Sequence, residues 1–425
     1  MAQFPEEPLH LTASEGFGYF PGYPGQKLNK GQYEITRKIG YGPRSSLWLA
    51  LDSCNDKLYS LIKVLTAHET LHKPPQELNA LKVEGNLVDD HFEEDSHHGT
   101  HLCLSLVISG LSCEHLRLSS PTKSLSRHIV QRAVACVLEE LVHWHKNDII
   151  HGAVTESNIA SSISIQRADI DPVLAELSPC TIERKITVGD VEYPIVLSTP
   201  IPGYIVWDDN KFQVNRNSMT LNNLGHSQKM KDHRKKITVE HTKKMRSKKK
   251  KRKHAVVTPP KVIAFTPTEE IVSTPPTWEN SRMDRSLRPP EIILGLPYTS
   301  KVDVWMLGST VYHMSTGKPL VPEEKAADDG IMLSWLVAMS GGHVTPALAL
   351  KSNVTSEYFD ENGLFKLRIP EETLESQIIA SGVVQADDIP GLVKFVQTCL
   401  TLDPADRPSP EDLCDDVWVT PGFDE

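Results

Sequence analysis

The 425-residue chain contains no run of about eighteen apolar residues, so no segment of it reads as a membrane-spanning helix. Seven cysteines, at positions 54, 103, 113, 136, 180, 399 and 414, include no C-x-x-C pair and no nearby histidine cluster. That spacing argues against a zinc site or a disulfide framework and predicts most of them as small buried apolar residues. The opening stretch, MAQFPEEPLHLTASEGFGYF, lacks the basic-then-apolar order of a secretory signal, so the expected location is the cytoplasm, the nucleus or both. Nor is this the composition of a disordered chain, since 39% hydrophobic and 24% charged residues sit close to globular averages. The length exceeds the size at which one core stops growing, so two lobes are expected.

What is present is unevenly charged. The net charge is −10, yet Lys229 to Lys253 holds fourteen Lys or Arg against Asp232 and Glu240. That segment carries +12 and leaves −22 on the rest, and an acidic body with one basic arm invites contact between them. The arm reads as a solvated tail, as a nuclear-import signal, or as a segment held by its own body. Nucleic-acid contact ranks last, because no aromatic residues interleave the lysines.

Hydrophobic periodicity divides the chain. From about Gly31 to Ile108 the runs YEITRKIG, SSLWLALD, KLYSLIKVL and HLCLSLVIS read as strands separated by turn residues, interrupted by one helical stretch, QELNALKVE. From about Ser124 helices dominate; Val130, Val134, Val137, Leu141 and Trp144 fall on one stripe at i, i+4, i+7, i+11 and i+14. SKVDVWMLGSTVYHMSTG and PGLVKFVQTCLTLD read as further core helices. The expected class is α+β and bilobal: a loose tail over 1–18, a β-rich lobe with one helix over 19–110, and a mainly helical lobe over 111–425. Two insertions break the second lobe, an irregular one at about 161–219 and a basic one, expected to be disordered, at about 229–281.

Several motifs carry chemistry. In IGYGPRSSLWLALD, Gly40 and Gly42 would let a hairpin close over a phosphate without a Cβ in the way, although taken alone they are better explained by a tight turn with no ligand. In LYSLIKVL, alternation puts Lys63 on the face of Tyr59, Leu61 and Leu65, where it either finds a carboxylate or snorkels from an edge strand. Glu77, fourteen residues on, opens a helix that could supply that carboxylate. Glycine loop, strand lysine and helix glutamate, in that order, are the phosphate-gripping parts of a protein kinase. IIHGAVTESNI then places His151 and Asn158 in a catalytic-loop-like segment, and LNNLG at 221–225 stands where a metal-binding Asp-Phe-Gly motif would. LRPPEIILG, KVDVWMLG and LDPADRP follow in kinase order, with Glu291 expected to pair with Arg407 in a buried bridge and Asp303 to cap the catalytic-loop backbone.

The sequence resembles the SR-protein kinases of the CMGC group of serine/threonine kinases over about residues 18–420. The phrases YFPGYPGQKLNKGQYEITRKIGYGPRSSLWLALD, HLCLSLVISGLS and LNNLGHSQ carry that resemblance, as does a long insertion inside the kinase domain. It implies ATP held by Gly40, Gly42, Lys63 and Glu77, Mg²⁺ held by Asn158 and the residue at 223, and structural roles for His151, Gly225, Glu291, Asp303 and Arg407. It also implies Arg/Ser-rich proteins or an active kinase as partners. The departures fall on the chemistry. Where the family reads His-Thr-Asp-x-Lys-x-x-Asn, this chain has Gly152 for the Thr, Ala153 for the catalytic Asp and Thr155 for the Lys; Asn223 replaces the metal-binding Asp.

A positioned general base is worth about 10² to 10⁴ in rate, and kinase chemistry leans on magnesium, which an Asn holds more weakly than a carboxylate. The resemblance therefore implies a pseudokinase that binds ATP with weakened metal dependence. Two alternatives stand beside it: an active serine/threonine kinase using Asp169, Asp171, Asp208 or Asp209 as its base, and a nuclear protein working through its basic arm.

Overall fold

The computed structural model describes residues 6–54, 58–72, 78, 88–106, 109–162, 167–177, 180, 182–188, 191–199, 207–208, 211–212, 219–221, 228–229, 284–352 and 355–423. A six-stranded antiparallel sheet forms the first lobe. Its strands are β1 (Lys27–Leu28), β2 (Tyr33–Gly42), β3 (Ser45–Asp52), β4 (Tyr59–Leu65), β5 (Val88–Ser96) and β6 (Gly99–Leu106), hydrogen-bonded in the order β1-β2-β3-β4-β6-β5. A short helix, α1 (Ala67–His72), follows β4. The proposed helix QELNALKVE lies outside the described residues except for Leu78, which is buried.

Strand pairing fixes two faces. Leu47, Leu49 and Leu51 on β3 stand opposite Lys63, Leu61 and Tyr59 on β4, so these six side chains share the face that will be called inner. Trp48 and Ile62, directly opposite one another, lie on the outer face, where they join Phe20, Tyr33, Ile35, Val64 and Cys103 in one buried cluster. β5 was not legible as a strand because five of the nine residues in VDDHFEEDS are acidic. It forms the outermost strand of the sheet, and charge on such an edge discourages pairing with another chain.

Residues 6–18 are not the loose tail expected. Glu6, Glu7 and Leu9 are buried, with the Lys38 ammonium donating to Glu6 Oε2 at 2.7 Å, to Glu7, and to the Val196 carbonyl at 3.0 Å. Lys38, buried on the outer face, needs carboxylates, and the amino-terminal arm brings them.

The second lobe is built on α2 (Cys113–Ser119), α3 (Arg127–Lys146), α5 (Pro290–Ile293), α6 (Lys301–Thr316), α7 (Asp329–Ser340), α8 (Leu374–Ser381), α9 (Ile389–Cys399) and α10 (Pro410–Cys414), with single turns between. The stripe Val130, Val134, Val137, Leu141 and Trp144 is buried in one core with Trp305, Leu307, Val311, Phe395 and Val396. α6 and α9 touch backbone to side chain at Gly308, where a Cβ would stand 2.6 Å from Cys399 Cβ, so only glycine lets them pack. No described helix is long and apolar enough to cross a membrane. Cys103, Cys113, Cys136 and Cys399 are buried and all seven cysteines are free.

The first insertion is more ordered than its polar, proline-containing sequence suggested. It contains a helix, α4 (Arg167–Glu176), and a hairpin, β10 (Ile182–Val188) with β11 (Val191–Val196), besides the short β12 (Trp207–Asp208) and β13 (Lys211–Phe212). The signals were Ile170 and Leu174 at i, i+4, and Gly189-Asp190 in the sequence between two alternating runs. Of the second insertion only Lys229 is described; the rest of 229–281, basic arm included, lies outside the described residues.

Candidate functional site

The site lies where β7 (Ser109–Ser112), β9 (Ile159–Ser162) and β14 (Met219–Leu221) form a three-stranded sheet under the first lobe, beside β8 (Ile149–Ile150) paired with β15 (Gln228–Lys229). Lys63 sits on β4 between Leu47 of β3 and Leu104 of β6 and is 8% exposed. β4 is an interior strand, so snorkelling from a sheet edge does not describe this lysine. Glu77, its proposed carboxylate, lies outside the described residues.

Gly42 pairs with Ser45, so the turn of the β2–β3 hairpin is Pro43-Arg44 and not the glycines. A Cβ at Gly40 or Gly42 would meet nothing within 4 Å, and neither residue has a left-handed backbone. Their conformations do not demand glycine; what they contribute is open space along the strand that leads into the turn. The Tyr19 hydroxyl holds this hairpin in place, donating to the Gly42 carbonyl at 2.7 Å.

The catalytic-loop segment is clamped from below. Asp303, fully buried at the start of α6, accepts the His151 amide at 2.8 Å, the Gly152 amide at 2.7 Å and His145 Nε2 at 2.9 Å. His151 is buried and stacks on Trp144 with ring centroids 5.1 Å apart. Gly152 has φ +75°, a region favouring glycine, so glycine sits at this place with little backbone strain.

Ala153, at the base position, is 8% exposed and offers a methyl group. The Asn158 side-chain amide donates to the Ala153 carbonyl at 2.8 Å, bracing the loop. Thr155, at the Lys position, shares a 2.9 Å hydroxyl contact with Ser157. Glu156, not singled out from the sequence, is buried between Arg117, which donates from Nη2 at 2.7 Å, and His313 at 3.5 Å. Its partner is 39 residues away in sequence, so no local pattern could have revealed the pair.

Further down, Arg407 forks onto Glu291 at 2.8 and 3.0 Å with both side chains fully buried. Glu140, on α3 beneath β14, accepts the Leu221 amide at 2.9 Å, and burial pushes its carboxyl up to about 7. Asn223 and Gly225 lie outside the described residues.

Which groups fit here follows from these donors. The open hairpin and the strand lysine suit the phosphates of a nucleotide. For a divalent cation, among the described residues no cluster of three or more His, Cys, Asp or Glu could hold a metal and Ala153 and Thr155 supply no carboxylate, while the Asn158 amide is engaged with the Ala153 carbonyl and Asn223 lies outside the described residues. Of the alternative bases, Asp171 accepts the Tyr59 hydroxyl at 2.7 Å. The side chains of Asp169 and Asp208, and Asp209 altogether, lie outside the description.

An antiparallel sheet lobe joined to a helical lobe, with Asp303 clamping a His-containing loop and a buried Glu–Arg bridge, has the architecture of the protein kinase fold. Residues 251–419 match the protein kinase domain family model. A solved kinase-domain crystal structure superposes with a TM-score of 0.56 at 15% identity, covering 94% of this chain and 98% of that one, which shows the fold.

The relatives to which the sequence is similar include serine/threonine-protein kinases. The SRPK serine/threonine-protein kinase of Physarum polycephalum is 22% identical over 382 residues, 82% of this chain and 76% of its own length. A serine/threonine protein kinase of Aspergillus fumigatus is 29% identical over 140 residues, 31% of this chain. The ppk5 serine/threonine-protein kinase of Schizosaccharomyces pombe is 32% identical over 133 residues, 29% of this chain. These two matches span only 34% and 14% of the relatives' own lengths.

Proposed function

We propose that this chain is a regulatory kinase-fold domain that does not transfer phosphate and that responds to nucleotide through Lys63 and the glycine hairpin, with little dependence on magnesium. One observation carries the reading: the catalytic loop is held by Asp303 on the His151 and Gly152 amides, yet its base position is the methyl of Ala153. The scaffold of the chemistry is kept and its reactive groups are not. Loss of a base worth about 10² to 10⁴ is compounded by loss of the lysine and of a metal-binding carboxylate. The active-kinase reading gains no support from Asp171, whose carboxylate already serves Tyr59. The sequence resemblance to SR-protein kinases suggests Arg/Ser-rich proteins or an active kinase as partners, met in the cytoplasm or nucleus.

Thermal unfolding with millimolar ATP, with magnesium or with chelator, tests the nucleotide clause. The melting temperature should rise equally in both, and Lys63→Ala should remove the rise. A response that requires magnesium, or one that survives Lys63→Ala, would contradict the reading.

A further inference from the structure

We propose that helix α4 of the insertion occupies the place a nucleotide's base would take, so that this chain gates its own nucleotide site with a strap from its second lobe. The proposal rests on the nucleotide reading above and adds the element that controls it.

A nucleotide whose phosphates lie between the glycine hairpin and Lys63 must lay its base on apolar surface of the same sheet face. That surface is the inner face next to Lys63, made by Leu47, directly opposite it, and by Ile39, Leu49, Leu51, Tyr59 and Leu61. Apart from Leu47 it is already covered: Ile170 of α4 is buried with Leu49 and Tyr59 in a single cluster, around which Ile39, Leu51, Leu61 and Leu174 pack. Asp171 anchors the helix by accepting the Tyr59 hydroxyl at 2.7 Å.

Chain connectivity puts α4 beside the junction of the lobes. It leaves β9 at Ser162, and β9 pairs with β7, which begins three residues after β6 ends. The five residue steps from Ser162 to Arg167 reach at most about 17 Å, so the helix starts within that distance of β9.

The insertion then grips the other side of the same hairpin. Val196 joins the outer-face cluster, Ile195 packs with Leu9 and Tyr19, and the Thr199 amide donates to the Lys38 carbonyl of β2 at 2.9 Å. Residues 167–199 thus hold β2 from both faces. α4 is a ten-residue helix with Pro172 inside it, too short and too interrupted to persist alone, so its order depends on the face it covers. Displacing it would free the apolar surface and unfold the strap together.

The test is ATP binding in chelator, by isothermal titration of the full chain. Ile170→Asp with Leu174→Asp places two carboxylates in the apolar cluster and should tighten ATP at least about tenfold, which is about 1.4 kcal/mol. Tyr59→Phe, which removes only the anchor, should tighten it two- to threefold as an order-of-magnitude estimate. Lys63→Ala in the released background should abolish binding. Hydrogen exchange supplies a readout on the unaltered protein, where amides of 167–176 should lose protection as ATP is added. Equal, Lys63-dependent affinity in wild type and both released proteins would overturn the gate and leave the nucleotide reading standing. So would ATP binding with the protection of 167–176 unchanged. No binding in any protein would overturn both.

Discussion

Removing the Glu291 carboxylate asks how much of the second lobe rests on one ion pair. The Arg407 guanidinium is 1% exposed and makes four bonds: two to Glu291, at 2.8 and 3.0 Å, one to the Lys301 carbonyl at 2.8 Å and one to the Thr401 carbonyl at 3.0 Å. Its plane lies over Trp305, 5.0 Å from the ring centre. Glu291→Ala leaves a buried cation with two neutral acceptors, and breaking such a pair costs about 3–5 kcal/mol. The surviving carbonyls place the expectation near the lower end, about 3 kcal/mol. Replacing both residues by apolar ones of similar volume, Glu291→Met with Arg407→Leu, removes the stranded charge, so the double variant should lose less than Glu291→Ala alone. Urea unfolding followed by tryptophan emission suits the test, since Trp305 reports on the site itself. A loss below about 1 kcal/mol for Glu291→Ala, or a double variant as unstable as the sum of its singles, would refute the reasoning.

Four further outcomes follow from particular contacts. Burial pushes Glu140 up to about 7 from 4.5, so its contribution to stability is full below about pH 4.5 and is lost as pH rises through about 7. Glu140→Gln, a mimic of the protonated acid, should therefore gain stability over wild type at pH 8 and match it at pH 5; equal differences at both values would contradict the assignment. His101, buried against the Leu65 carbonyl and Ser96, is pushed down to about 4, so its contribution is full above about pH 6.5 and is lost as pH falls through about 4. Denaturation of His101→Asn should show a shallower acid limb than wild type. Gly152→Ala, at φ +75°, should cost about 1–2 kcal/mol in the same assay, and a neutral result would show that the loop relaxes. If the acidic body holds the basic arm 229–253, trypsin should cut the arm slowly at 0.1 M salt and quickly at 1 M, where the screening length falls from about 10 to about 3 Å; equal rates would show a free arm.

Local patterns were legible and long-range ones were not. The α3 stripe, the alternation that set Lys63 on its face, and the ordered motifs ending in Glu291, Asp303 and Arg407 could all be read because each depends on spacing within a single element or on a known order of motifs. The acidic strand β5 escaped, since an edge strand satisfied by Asn29 and Tyr33 needs no apolar alternation. The amino-terminal arm and α4 escaped for a different reason. Both are polar segments whose few apolar or charged anchors make sense only against distant partners, Glu6 and Glu7 with Lys38, Ile170 with Tyr59. Glu156 belongs with them. In each case the partner lies 31 residues or more away, beyond the reach of periodicity.

Phosphoryl transfer to an Arg-Ser peptide, measured side by side for wild type and for Ala153→Asp, Thr155→Lys and Asn223→Asp singly and combined, bears most directly on the central claim. The wild type and each single variant should stay silent, and any gain should appear only in the triple variant, because base, lysine and metal ligand act as one unit. Wild-type transfer at ordinary kinase rates, about 1 to 100 per second, would contradict it.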